Sequence, residues 1–251
     1  MAVVTATGRL SKRLHLPTTV PALVEAVSSV RRPRRLTFEE GPLAGWLKRS
    51  LQTYVDDLVV CDPRRNALIA KESDKDDPID AFKLAQLFRG GYLKPVHHPE
   101  TLERVLFKQH VALYHDAVRQ RVRLANGIIA QFRHHGVMVT ERGFRLEENR
   151  AEVLNRLPSS KLLQFDLQWL LKVYDGALER ETASRAELTR RSSRIEPICR
   201  FIELPGIQWV RAATFYVYLD TPWRFKRKSS LFKYMGIGLE RRQSGKGRER
   251  L

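Results

Sequence analysis

Short apolar runs alternate with helical patterns over the first 95 residues of the chain. Residues 36–38 and the uninterrupted apolar run 58–61 are typical of strands, the second of a strand buried on both faces. Apolar spacing together with proline and glycine boundaries predicts helices at about 20–27, 42–51 and 78–89. Strands that alternate with helices predict an α/β layer with a largely parallel sheet.

Helical periodicity replaces this alternation after Pro95. Residues 99–138 and 160–190 carry apolar side chains at helical steps, which predicts two long helices that pack against each other. The apolar positions are Leu102, Val105, Leu106, Leu113, Val122 and Ile129 in the first helix and Leu163, Leu167, Leu170, Leu171, Tyr174, Ala177 and Leu178 in the second. Trp46 and Trp169 are predicted to lie in the core. We expect this seam to make a homo-oligomer, a dimer or tetramer, although an ordinary helical hairpin explains the same spacing.

The last third of the chain carries a second helical signal. Leu204-Pro205-Gly206-Ile207 followed by Ala212-Ala213 is typical of two helices joined by a tight turn, a helix-hairpin-helix that directs backbone N–H groups at a phosphate. The sequence therefore predicts three domains, over residues 1–95, 96–195 and 196–251.

The net charge narrows the choice of partner. The 251 residues carry a formal charge of +17, which predicts a polyanionic partner, either nucleic acid or an anionic membrane surface. No run of eighteen apolar residues and no secretory signal occurs in the sequence, and the two distant cysteines, Cys61 and Cys199, fit a reducing cytoplasm. Nucleic acid is therefore the leading partner, with a cytoplasmic location.

Cations and aromatic residues are interleaved near the C-terminus. Residues 221–251 contain ten Lys and Arg against two Glu, with Trp223, Phe225, Phe232 and Tyr234 among them. Such a mixture suits phosphate contact with base stacking. The residues predicted to bind nucleic acid are Arg224, Lys226, Arg227, Lys228, Lys233, Arg241, Arg242, Lys246 and Arg248.

A group of acidic residues interrupts this basic chain just before the helix predicted at 78–89. Asp77 has the position of a helix N-cap because Pro78 follows it, and Asp80 then lies on the same face. Two such carboxylates repel each other unless a cation such as Mg²⁺ lies between them, and Mg²⁺ in a basic protein suits chemistry on a phosphodiester. The alternative is an acidic helix start that suits the helix dipole.

Three ordered segments resemble one known family. Residues 75–81 (K-D-D-P-I-D-A) resemble its K-x-D-x-x-D-A signature, and the Leu204 to Ala213 segment resembles its L-P-G-I…A-A hairpin. Tyr234-Met235-Gly236 followed by Gln243-Ser244-Gly245 resembles its Y-x-G-L…S-G segment. From about residue 18 onward the chain is similar to the DEDD transposases of bacterial insertion sequences, called here the IS-one-ten family.

The resemblance implies a fold that is α/β plus all-α. Its parts are a RuvC-like (RNase H-like) domain over residues 1–95, a coiled-coil linker over 96–195 and a C-terminal transposase domain over 196–251. It also implies DNA strand exchange guided by an RNA that the element encodes. In the family four acidic residues hold Mg²⁺, and a serine attacks a DNA phosphate and forms a covalent link.

The family's functional residues fall on positions of this chain. The glutamate falls on Glu39, with Glu40 as the alternative, the last two aspartates fall on Asp77 and Asp80, and the serine falls on Ser244. The first aspartate has no counterpart, because residues 1–38 contain no Asp. The sequence is therefore expected to be truncated at both ends and inactive, or nearly so, as written. Two other functions stay open: a RuvC-like nuclease that uses water, and a non-catalytic nucleic-acid-binding remnant.

Overall fold

The described residues of the first part of the chain form two short sheets and three α-helices. The computed structural model describes residues 1–65 and 77–238 and divides the chain into two compact units, residues 1–98 and 99–251. In the first unit, β1 (Ala2–Val4) pairs antiparallel with β2 (Leu10–Arg13), and β3 (Arg35–Glu39) pairs in parallel with β4 (Asp57–Cys61). The α-helices among the described residues of this unit are α1 (Val20–Ser28), α2 (Ala44–Leu51) and α3 (Asp77–Arg89).

The strands predicted at 36–38 and 58–61 and the three predicted helices are confirmed to within two residues at most ends. The parallel β3–β4 pair also agrees with the prediction. The β1–β2 hairpin departs from it, because the turn around Gly8 is short and only antiparallel strands can be joined so tightly. Gly8 takes a φ of +86° in this turn, a conformation that favours glycine.

The regular elements among the described residues of the second unit are all helices. Its helices are α4 (Leu102–His134), α5 (Glu141–Arg145), α6 (Glu147–Leu154), α7 (Lys161–Ser192), α8 (Glu196–Ile202), α9 (Trp209–Leu219) and α10 (Lys228–Tyr234). The two long helices begin at side-chain caps: the Thr101 hydroxyl accepts the Arg104 N–H at 3.3 Å, and the Ser160 hydroxyl accepts the Leu163 N–H at 3.4 Å. No helix in the described parts of the chain is long and apolar enough to cross a membrane.

Helices α4 and α7 form a long antiparallel pair. One cluster joins Ala125, Ile128 and Phe132 of α4 to Leu167, Leu171 and Tyr174 of α7, and the other joins Phe107, Val111 and Tyr114 to Leu188. The predicted seam on α7 is confirmed. The predicted face of α4 is partly wrong, because Leu102, Leu106, Leu113 and Val122 are exposed. The buried face is the one that carries the aromatic rings, which remove more apolar area from water.

Trp169 was predicted to lie in the core and does not. Its side chain is 52% exposed, because it lies two positions after Leu167 and so on the opposite side of α7. Trp169 forms an outward stripe with Leu162, Phe165 and Val173, all of them exposed. The steps between these four residues are three, four and four positions, which keep them on one face of the helix.

A polar layer interrupts the apolar seam of the helix pair. Arg121, 12% exposed, donates to Glu181 and to Glu141, each at 2.5 Å, and the Tyr174 hydroxyl donates to Glu141 at 2.6 Å. Burial alone would raise the pKa of Glu141, but the hydrogen bonds from Tyr174 and Arg121 outweigh it and the pKa is lowered. The carboxylate is therefore held ionised between α4, α5 and α7.

Helices α8 and α9 form the tight hairpin that the sequence predicted. Gly206 has a φ of +79° in the turn, and its carbonyl accepts a hydrogen bond from Arg211 at 2.7 Å. Ala212 and Ala213 are fully buried against α4 and α7, where a larger side chain would not fit as closely. The small residues thus bring α9 against the long helix pair.

Candidate active site and nucleic-acid interface

Glu39 and Glu40 lie at the carboxyl end of the parallel sheet and face opposite ways. Glu39 ends β3 opposite Cys61, and the Glu40 N–H continues the ladder to the Cys61 carbonyl at 2.8 Å. Side chains alternate along a strand, so Glu39 shares a face with Arg35 while Glu40 takes the other face. The two candidate ligands therefore belong to different sides of the sheet.

Glu40 is engaged by a histidine on the α2 side. Its carboxylate Oε2 lies 2.7 Å from Nε2 of His98, and a Cβ on Gly45 of α2 would lie 3.8 Å from Nδ1 of that ring. Burial lowers the pKa of His98 below its ordinary value of 6.5, although Glu40 pulls it upward. At neutral pH the ring is therefore mostly neutral and donates its Nε2–H to Glu40.

Helix α3 covers the other face of the sheet. The Arg35 guanidinium, at the start of β3, lies 4.4 Å from the centre of the Phe88 ring, near the end of α3. Asp80, Leu84 and Phe88 follow each other at four-residue steps, so they share one side of the helix. Asp80 is half-buried. The face of α3 that carries Asp80 is therefore the one that turns toward the face of β3 that carries Glu39.

The predicted metal ligands are described only in part. Asp77 begins α3, and its side chain lies outside the described part of the chain. Among the side chains that are described, no group of three or more His, Cys, Asp or Glu could hold a metal ion. Glu39 and Asp80 supply carboxylate oxygens, the ligands that Mg²⁺ prefers, so their chemistry fits the ion. The complete set remains a prediction.

The described basic residues near the C-terminus fall into two groups. Arg224 is half-buried, with its guanidinium 4.6 Å from the centre of the Phe225 ring and 4.4 Å from that of Tyr234. The other four are exposed to solvent, as phosphate contacts require: Lys226, Arg227, Lys228 and Lys233. Ser244, Arg241, Arg242, Lys246 and Arg248 lie outside the described residues.

Comparison with known proteins gives a match in the C-terminal part of the chain. Residues 199–251 match the model of the Transposase IS116/IS110/IS902 family, a stretch that begins in α8 and includes α9, α10 and the basic residues. The match supports a DNA-binding protein of the transposase class, and within that class an insertion-sequence transposase of the IS110 type. No curated protein matches the chain. The resemblance seen in the sequence is confirmed to this extent, while the DEDD tetrad and the RuvC-like fold stay predictions.

Two features of the site could not be read from the sequence. The contact between His98 and Glu40 joins two residues that are 58 positions apart in the sequence. Arg224 was predicted to bind nucleic acid, and its guanidinium is stacked against two aromatic rings of its own chain, Phe225 and Tyr234. Neither contact has a local signal, because both depend on how distant segments pack.

Proposed function

We propose that the chain is the transposase of a bacterial insertion sequence, which binds DNA and exchanges its strands with the help of Mg²⁺. The family match over residues 199–251 carries the proposal. The exposed cations of α10 and of the segment before it support it, because phosphate contacts supply most of the affinity of such proteins for DNA. From the resemblance we extend the proposal to an element-encoded RNA that guides the choice of DNA.

We propose Glu39, Asp77 and Asp80 as the ligands of Mg²⁺, with α3 running back along β3. The Arg35–Phe88 contact fixes one point of this arrangement. From Phe88 back to Asp80 the helix spans about 12 Å, and from Arg35 on to Glu39 the strand spans about 13 Å. Asp80 and Glu39 then lie at about the same distance from that contact and next to each other. Asp77 is one turn earlier on the same side of α3. This arrangement favours Glu39 over Glu40, which is held by His98 on the other face.

Ser244 is the proposed nucleophile. Its hydroxyl oxygen bonds to the phosphorus of a DNA phosphodiester, the bond from that phosphorus to one deoxyribose oxygen breaks, and the hydroxyl proton leaves to a base or water. Bound Mg²⁺ would polarise the phosphate and stabilise charge on the leaving oxygen. The carboxylates orient the ion, and the neighbouring cations hold the phosphate in place.

A non-catalytic DNA-binding protein is the second candidate. It is favoured by one observation: residues 1–38 contain no aspartate to complete the acidic tetrad. Three carboxylates bind a metal ion less firmly than four, and a serine hydroxyl without a well-placed metal is a weak nucleophile. The two candidates predict the same DNA binding and differ in the chemistry that follows.

Covalent capture of DNA separates the candidates. The chain is incubated with labelled DNA and Mg²⁺, denatured, and tested for a protein–DNA adduct, with Ser244→Ala, Asp80→Asn and the control Ser229→Ala alongside. Ser229 is an exposed serine of the same basic region. An adduct lost in Ser244→Ala and Asp80→Asn but kept in Ser229→Ala supports the transposase. Cleavage without an adduct indicates a nuclease that uses water, and binding alone indicates the second candidate.

Metal affinity tests the ligand assignment separately. Glu39→Gln, Asp77→Asn and Asp80→Asn should each weaken Mn²⁺ binding, measured by calorimetry, because each removes one anionic ligand. Glu40→Gln should leave that binding nearly unchanged, because its carboxylate is held by His98 on the other face of the sheet. Equal losses in Glu39→Gln and Glu40→Gln would contradict the assignment.

We also propose that the protein forms a homo-oligomer through a coiled coil. The outward stripe of α7, formed by Leu162, Phe165, Trp169 and Val173, supports this proposal, since helical spacing of exposed apolar residues suits a partner helix. Phe165→Glu should lower the mass measured by light scattering toward that of the monomer. Leu146→Glu, which changes an exposed leucine between α5 and α6, is the matched control.

A further inference from the structure

Trp223 is the most exposed large hydrophobic side chain of the described residues, at 91%. Tryptophan carries more apolar area than any other side chain, and in folded proteins it is usually largely buried. Trp223 belongs to a 3-10 turn, Pro222–Arg224, in which Pro222 restricts the backbone. A ring held out in this way keeps a large flat surface available to a ligand.

The residues around Trp223 fix the turn that carries it. Arg224, the next residue, is stacked against the Phe225 and Tyr234 rings at 4.6 and 4.4 Å. The Tyr234 hydroxyl donates to the Tyr218 carbonyl at 2.9 Å, which ties α10 to α9. Because the turn is anchored on both helices, ordering the Trp223 ring on a ligand costs less conformational entropy than ordering a ring on a free loop.

The charges near Trp223 indicate which ligand suits it. Lys226, Arg227 and Lys228 follow within five positions and are exposed. The outward stripe of α7 offers several apolar residues at helical spacing, which suits another helix. Trp223 instead offers a single ring among cations. One flat π-face beside exposed positive charges is complementary to a nucleobase with its flanking phosphates.

We propose that Trp223 stacks on an unpaired base of DNA while Lys226, Arg227 and Lys228 contact the neighbouring phosphates. The inference rests on the proposed function in that the chain must bind DNA. In an intact duplex the faces of the bases are covered by their neighbours and only the edges are accessible. Stacking therefore gives preference for gaps, bulges and single strands, the forms that DNA takes while strands are exchanged.

The first test compares unpaired and paired DNA. Affinity is measured by fluorescence anisotropy for a single strand and for its perfect duplex at the same salt concentration. Trp223→Leu keeps apolar bulk but removes the aromatic face, and should weaken binding to the single strand about tenfold and to the duplex less than twofold. Trp223→Phe should keep most of the affinity for the single strand. Lys226→Gln should weaken both similarly, because phosphates are present in both.

The second test observes stacking directly. A 2-aminopurine base in the single strand loses fluorescence when a ring stacks on it. We expect quenching with the wild-type chain and with Trp223→Phe, and none with Trp223→Leu at protein concentrations that saturate the strand. Quenching that persists in Trp223→Leu would overturn the proposal, as would equal loss of affinity for both forms of DNA. An effect of Trp223→Leu on an RNA strand of the same sequence but not on DNA would overturn the assignment to DNA.

The outcomes also separate this inference from the proposed function. If the wild-type chain binds neither DNA form with an affinity that depends on salt, the proposed function fails. If it binds both and Trp223→Leu changes nothing, the proposed function stands and the stacking role fails. Because Trp223 is exposed, its replacement should leave the circular dichroism spectrum unchanged, and this control excludes misfolding as the cause of a loss.

Discussion

The two units of the chain bury their side chains in different ways. In the unit 99–251, two hydrophobic clusters run along the α4–α7 pair and are joined by a polar layer around Arg121. In the unit 1–98, strands of three to five residues carry the fold, and the ion pairs of Arg32 and Arg35 lie at the surface. Exposed ion pairs add little stability, whereas long apolar seams add a great deal.

This difference matches the two tasks that we propose. A surface that binds DNA must hold its exposed cations at fixed positions. The long helix pair provides a rigid support for them. A metal site must bring carboxylates close together against their mutual repulsion, and strand ends and helix starts can do this with little packing. The comparison predicts that the helical unit resists unfolding more strongly than the unit with the acidic residues.

The largest expected effect is on the helix pair. Phe132→Ala should lower the free energy of unfolding of the helical unit by about 3–5 kcal/mol, because Phe132 is fully buried in the cluster with Leu167 and Leu171. Hydrogen exchange read by mass spectrometry should show faster exchange across α4 and α7 and little change in β3 and β4. Leu113→Ala, on the exposed side of α4, should change the free energy of unfolding by no more than about 0.5 kcal/mol. If Phe132→Ala speeds hydrogen exchange equally in both units, the two units do not unfold separately and the comparison fails.

The polar layer should give the next largest effect. Arg121→Ala leaves Glu141 and Glu181 partly buried without their cation. It should lower the free energy of unfolding, measured in urea, by about 3 kcal/mol. Because the pKa of Glu141 is lowered from its ordinary value of 4.5, its contribution to stability is full above pH 4.5 and is lost as the pH falls below it. In Glu141→Gln, stability should fall less steeply as the pH drops below 4.5. If stability falls as steeply in Glu141→Gln as in the wild-type chain, other carboxylates cause the loss.

Periodicity predicted the long helices well and their packing faces less well. The expected ranges 99–138 and 160–190 correspond to Leu102–His134 and Lys161–Ser192, because Thr101 and Ser160 are strong local caps. The buried face of α4 was missed because aliphatic residues lie on both of its sides. Which side faces α7 depends on the partner, and a single helix does not encode it.

The acidic site shows the same limit at the level of single residues. The sequence placed Glu39 and Glu40 at a strand end, and the structure agrees. Spacing favoured Glu39 and left Glu40 as the alternative, because adjacent strand residues differ only in the face that they occupy. The choice depends on Phe88 meeting Arg35 on one face and His98 meeting Glu40 on the other, contacts between segments far apart in the chain.

The smallest expected effect is the pH dependence of His98, a partly buried ring whose response to acid differs from that of Glu141 in the polar layer. Burial lowers the pKa of His98 below 6.5 despite the attraction of Glu40, so folding favours the neutral ring. The contribution of His98 to the stability of the unit 1–98 is therefore present above pH 6.5 and lost as the pH falls below it. His98 should thus lose its contribution to stability in a higher pH range than Glu141 of the polar layer, which begins to lose its contribution only below pH 4.5.

Proton NMR of the His98 ring can test this difference directly, with the signal assigned by comparison with His98→Gln. The ring should titrate below 6.5 in the wild-type chain and lower still in Glu40→Gln, because that change removes the carboxylate that favours the charged ring. Glu25→Gln, which changes an exposed glutamate of α1, should leave the titration where it was. A wild-type titration at or above 6.5, or a rise in Glu40→Gln, would show that the Glu40 contact outweighs burial. The contact of His98 with Glu40 would then contribute most to stability in acid, whereas the contribution of Glu141 is lost there.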